Sequence, residues 1–177
     1  MSITIEIYER TGPIGSPTDQ LVTNMNWKSQ SLPDSLYKYF YYPIRLTEGE
    51  AMINCSVPKY LYAKISGTYA GARRLRWSLT GVKDAGTRIL ATCTPLYATP
   101  TPTLKAEMTD MQDGTYFFPR VAAASTPQAF PVITPLLAAN TTYCTEFLVT
   151  QFIVDSTMTT VGNSNEILVS LTLDEYE

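Results

Sequence analysis

The sequence predicts an all-β protein: a single β-sandwich of jelly-roll type over residues 1–177, with a Pro-rich irregular insertion at 95–135 holding at most a short helix. Three observations predict it. Runs of period-two alternation recur along the chain, and alternation marks strands with one buried and one outward face. Charged residues are only 16%, while tyrosine reaches 12; ordinary soluble domains carry about 25% charge, and aromatic and β-branched side chains suit a pleated, half-buried surface. The 12 prolines punctuate edges and loops. At 177 residues the chain can stock one core and does not require a second.

Each element follows from its residues. Ile3, Ile5 and Ile7 alternate with Thr4, Glu6 and Tyr8 as a first strand. Residues 11–17, TGPIGSP, read as a loop, and 21–28 as a mixed polar segment anchored by Trp27. Ser31 as cap and Pro33 in the first turn start a helix bearing Leu36, Tyr39 and Phe40, stopped by Pro43. Residues 44–57 read as one or two strands broken at Glu48-Gly49-Glu50. In 59–81, KYLYAKISGTYAGARRLRWSLTG, two strands flank a Gly-Thr-Tyr-Ala-Gly hinge. Leu75, Trp77 and Leu79 share one side of the second strand, and Arg74, Arg76 and Ser78 the other.

Residues 87–97 form the next strand. The segment 95–135 holds seven prolines; Leu104, Met108 and Met111 fit one face of a two-turn helix. Residues 116–118 read as a short strand, and 122–124 and 127–135 as extended backbone. Val121, Phe130, Val132, Ile133, Leu136 and Leu137 need somewhere to pack, so this is no floppy linker but a contact surface. Residues 143–155 are apolar on both faces, as a central strand is. In 166–174, Ile167, Val169, Leu171 and Leu173 point inward. The expected core therefore includes Trp27, Leu75, Trp77, Leu79, Phe147, Val149, Val169 and Leu171.

Composition also excludes functions. The chain has no histidine, which removes the usual general base, metal ligand and pH switch, and with them Ser-His-Asp and Cys-His catalysis within one chain. Cys55, Cys93 and Cys144 form no CxxC pair, so they read as small buried hydrophobes and no zinc site is expected. Glu48/Glu50 and Asp110/Asp113 lack the spacing of a calcium loop. Among Glu146, Asp155, Glu166 and Asp174 nothing indicates the paired carboxylates of a glycosidase. No catalytic residue, metal or cofactor is expected. A net charge of −3 and a pI near 5.0 argue against nucleic acid as partner. No apolar run is long enough for a membrane span. The N-terminus, MSITIEIYER, has no signal-peptide pattern, so cytosolic folding is expected and the sequons at Asn54 and Asn140 read as chance.

What remains are contact surfaces. The aromatic run Tyr37–Tyr42 reads as core and subunit contact, or alternatively as a sugar-stacking platform for a host glycan. Arg73, Arg74, Arg76, Lys83 and Arg88 form a basic patch on an outer sheet face, solvated, set against an acidic neighbour or, as a third reading, against packaged nucleic acid. The candidate interface residues are Ile3, Ile5, Tyr39, Tyr41, Tyr42, Arg74, Arg76 and Phe130.

Four pieces carry a resemblance: 24–28 (NMNWK), 42–44 (YPI), 64–69 (KISGTY) leading into 74–77 (RLRW), and the ending from 147–152 (FLVTQF) through 171–175 (LTLDE). Together they resemble a family of small virion structural proteins of tailed bacteriophages. The resemblance implies a β-rich, non-enzymatic component of the head, neck or tail, located in the virion and assembling as a homo-oligomer with other virion proteins. A receptor- or carbohydrate-binding module of a tail or fibre is the alternative.

Overall fold

The computed structural model describes residues 2–23, 54–81, 83–101, 107–112, 114–129, 136–154 and 168–175. The alternating N-terminal isoleucines form β1 (Ser2–Thr11), which turns back through β2 (Thr18–Leu21). After β3 (Asn54–Cys55), the stretch around the Gly-Thr-Tyr-Ala-Gly hinge gives β4 (Lys59–Thr68) and β5 (Gly71–Thr80). β6 (Thr87–Thr94) follows, then four short strands: β7 (Thr109–Asp110), β8 (Tyr116–Phe117), β9 (Val121–Ala122) and β10 (Leu136–Ala138). The chain continues through β11 (Tyr143–Thr145) and β12 (Phe147–Val154) to β13 (Leu168–Glu175).

These strands make two antiparallel sheets packed face to face as a β-sandwich. The larger, nine-stranded sheet runs β2-β1-β4-β12-β6-β7, with β11 on β4, β9 on β11 and β3 on β12. The smaller sheet is β10-β5-β13, with β8 also on β5. The all-β class is therefore as the sequence predicts; jelly-roll wrapping is not established by this strand order.

The hinge is a corner between sheets. β4 belongs to the large sheet and β5 to the small one, so the two runs never pair. Gly67 pairs with Ile3 at the end of the β1–β4 ladder with φ +113, and a Cβ there would lie 2.4 Å from the Ser2 carbonyl oxygen. Only glycine fits both requirements. The link from β10 to β11 crosses between the sheets beside this corner. Tyr69, 2% exposed, donates its hydroxyl to the Thr141 carbonyl at 2.6 Å, and the Tyr143 hydroxyl accepts from the Ala138 amide at 2.9 Å. The two crossings are thus tied by two tyrosines, each with an apolar ring in the core and a satisfied hydroxyl.

The Pro-rich segment laces the seam of the sandwich. Its short strands join alternate sheets: β7 pairs with β6, β8 with β5, β9 with β11 and β10 with β5. Each piece is two or three residues long, long enough to stitch an edge and no more, and Pro119, Pro127 and Pro135 fall between the later pieces. The expected helix through Met108 and Met111 does not form over the described part. Thr109–Asp110 is strand, the Met111 amide bonds the Ile89 carbonyl at 2.7 Å, and the Met111 side chain is fully buried. Pairing with the exposed edge of β6 outcompetes a short isolated helix, which is marginal on its own.

Between the sheets lie two contiguous cores. One joins Leu61, Ala63, Ile89, Leu148 and Phe152 of the large sheet to Trp77 and Leu79 of the small one. The other joins Ile65, Val121 and Tyr143 to Ala72, Leu75 and Leu137. Val169 and Leu171 pack against these cores, as expected. Phe147 and Val149 are buried too, but on the far face of the large sheet, with Tyr60, Tyr62 and Cys144. Trp27 lies outside the described residues.

β12 is buried along its whole length, as its two-sided apolar pattern predicts. It is separated from β11 by Glu146, whose amide bonds the Arg120 carbonyl at 2.8 Å.

Gly67→Ala should destabilise the fold by on the order of 2 kcal/mol, since both φ and the Ser2 contact oppose a side chain. Gly15→Ala, where a Cβ would meet nothing within 4 Å, should shift stability by less than about 0.5 kcal/mol. Denaturant midpoints of the two variants separate a steric effect at the corner from a general loss of glycine.

Candidate interface on the small sheet

Alternation on β5 turns Leu75, Trp77 and Leu79 inward, 9%, 0% and 2% exposed. The outward side is Arg74, Arg76 and Ser78, as the sequence predicts. Register extends this face across three strands: Ser78 stands opposite Tyr116 of β8 and Ser170 of β13, and Arg76 opposite Thr172. Phe117 packs against the core, whereas Tyr116 beside it on β8 and Phe118 just after the strand are 50% and 66% exposed. Leu168, opposite Thr80, is 61% exposed.

One irregularity shapes this face. The β5–β13 register shifts between Thr172 and Asp174, so that Arg74 and Leu75 together oppose the single residue Leu173. Arg74 takes φ +53 in the middle of the strand. Such a bulge breaks the alternation, and consecutive residues Arg73 and Arg74 are both exposed. Asp174 lies 3.4 Å from the Arg74 guanidinium and 3.7 Å from that of Arg76. The Arg76 guanidinium also sits over the Tyr116 ring, 5.5 Å from its centroid.

The sequence patch of five cations does not survive as a unit. Lys83 is engaged by Asp110 at 3.0 Å and the Met111 carbonyl at 2.7 Å, while Arg88 lies on β6 of the other sheet. Arg73, Arg74 and Arg76 remain together. Tyr116 and Phe118 were missed as surface residues because a two-residue strand has no readable alternation; only its pairing with β5 orients it.

The other predicted contact residues sit elsewhere. Ile3 and Ile5 are partly buried and pack against the two cores, so their side chains serve the sandwich interior; alternation against a polar face cannot say which partner an apolar row meets. Tyr39, Tyr41, Tyr42 and Phe130 lie outside the described residues, as do the helix expected to start at Ser31 and the segments 24–28 and 42–44.

The remaining charged clusters are closed upon themselves. Glu9 and Lys59 form a buried pair at 2.7 Å, their side chains 7% and 1% exposed. The Glu146 carboxylate, 3% exposed, accepts from the Arg120 amide at 2.8 Å and from its side-chain Nε at 3.0 Å. On the far face of the large sheet, Arg10 donates two bonds of 2.7 Å to Asp19. Its guanidinium rests on the rings of Phe147, Tyr62 and Tyr97, 5.2, 5.7 and 5.9 Å from their centroids. Among the described residues no group of three or more Cys, Asp or Glu could hold a metal ion.

Burial dominates the titration of this region. It pushes the Cys93 and Cys144 thiols and the Tyr97 phenol up to about 12, and raises Tyr62 as well; the Arg10 charge offsets this only partly for Cys144 and the tyrosines. No protein-family model, curated protein or solved structure matches the chain.

Three outcomes follow from this structure. Arg74→Gly should leave stability unchanged or raise it by up to about 1 kcal/mol, because glycine accepts φ +53 without strain; thermal melts measure it. The raised thiols and phenols stay protonated in the folded chain while their unfolded counterparts ionise. Their contribution is therefore complete below the ordinary thiol value and lost as pH rises through the folded values. Stability should be flat through neutral pH and fall between about pH 9 and 12, as followed by denaturant titrations at fixed pH. At pH 8, thiol reagents should label Cys93 and Cys144 only after unfolding.

Proposed function

We propose that this chain is a non-enzymatic structural subunit that works by burying surface against neighbouring chains, with itself as a homo-oligomer and with other proteins of a tailed-phage virion. The virion setting rests on the resemblance of its sequence segments. The assembly role rests on one observation: the outer face of the small sheet exposes Tyr116, Phe118 and Leu168 around an arginine cluster. Aromatic residues and arginine are the side chains that specific protein interfaces favour. β13 borders this face, and among the described residues its edge away from β5 pairs with no strand, which leaves a ladder on which another chain can add. A structural rather than catalytic role also accords with the absent histidine and with buried carboxylates already bound by Lys59 and Arg120.

The expected interface exceeds about 1,000 Å². Sedimentation of the purified chain should show concentration-dependent association, and Phe118→Asp should abolish it by placing a charge in the contact. The chain should also be found in purified particles. A chain that stays monomeric at high concentration and is absent from particles would end this reading.

A further inference from the structure

We propose that the arginine cluster on the small sheet receives a carboxylate-rich segment of another protein chain, laid across the outer face of β5 with its apolar side chains on Tyr116 and Phe118. This rests on the reading of that face as an assembly surface and names the chemistry of its partner.

The bulge carries the inference. Regular alternation would turn only one of residues 73 and 74 outward. Holding a non-glycine residue at φ +53 inside a strand costs about 1–2 kcal/mol. What the strain obtains is a third outward guanidinium: Arg73, Arg74 and Arg76 now stand on one surface within four residues. Gathering like charges on a solvated surface is unfavourable in itself, and the long contacts to Asp174 offset it only in part, so a strained backbone that gathers them points to a ligand.

The ion-pair geometry separates this cluster from the structural pairs. Arg10 meets Asp19 through two bonds of 2.7 Å, and Arg120 meets Glu146 through contacts of 2.8 and 3.0 Å. Asp174, in contrast, stands 3.4 and 3.7 Å from two guanidiniums and saturates neither. Each guanidinium offers five donors in a fork that matches a carboxylate. Asp174 and the Tyr116 ring orient these forks while leaving donors for an incoming group; the Arg74 side chain remains 69% exposed.

Carboxylate is favoured over nucleic-acid phosphate by the field of the whole chain. A net charge of −3 repels an extended polyanion at long range, whereas a short acidic segment needs only the local match. The exposed Tyr116 and Phe118 beside the cluster supply the desolvated apolar contact typical of a protein partner.

The probe is a fluorescent peptide alternating glutamate and tyrosine, with glutamine–tyrosine and single-stranded DNA of equal charge as comparisons. Binding of the glutamate peptide should weaken roughly tenfold on Arg74→Gly and again on Arg76→Gln, and fall with added salt. Arg74→Gly suits the backbone of the bulge, so the loss cannot be assigned to unfolding, and a thermal melt of each variant confirms it. Equal binding of the glutamate and glutamine peptides, indifference to both arginine variants, or preference for the DNA overturns the proposal. Assembly then separates the two readings. If Phe118→Asp blocks association while the arginine variants bind and associate normally, the assembly surface stands and the acidic partner falls. If none of the three variants affects association, both fall.

Discussion

The passage of one continuous chain from the large sheet to the small sheet at residues 67–71 is the constraint from which the rest of the architecture follows. Gly67 closes the β1–β4 ladder where no Cβ fits beside the Ser2 carbonyl oxygen. The chain can then leave that ladder and begin the strand that becomes the centre of the second sheet. A two-sheet sandwich needs its layers held in a fixed relation before its cores can interdigitate. Here the corner sets that relation, and the hydroxyls of Tyr69 and Tyr143 tie the neighbouring β10–β11 crossing to it.

Once the corner is in place, the Pro-rich segment has a defined task. It meets two sheet edges side by side and stitches them alternately with short strands. This covers edges that would otherwise invite uncontrolled pairing. Among the described residues, Tyr116, Phe118 and Leu168 on or beside the small sheet stay exposed. The far face of the large sheet has the opposite fate: Tyr60, Tyr62 and Phe147 are buried and capped by Arg10.

Charge follows the same division. The fully buried charged residues, Glu9, Lys59 and Glu146, sit in short ion pairs, because an unpaired buried charge is far costlier than a solvated one. The Glu9–Lys59 and Glu146–Arg120 pairs meet that requirement at 2.7 and 2.8 Å. Strain and loose ion pairing are instead found together at Arg74, on the surface. That is where a local departure from the lowest-energy backbone is tolerable.

The sequence by itself determined the all-β class, the inward row Leu75, Trp77 and Leu79, the outward row Arg74, Arg76 and Ser78, and the full burial of β12. Each is a consequence of period-two alternation or its absence, a property local to a few residues. Tertiary structure decided what local pattern cannot encode. It placed the strands on either side of the glycine hinge in different sheets, put Phe147 and Val149 in a separate layer, and turned Met108–Met111 from expected helix to edge strand. It also reduced a basic patch of five to three arginines beside Tyr116 and Phe118. The physical reason is common to all four: pairing partners distant in sequence supply hydrogen bonds and buried area that outweigh the preferences of a short segment. A residue's neighbours across the sheet are fixed only when those partners meet.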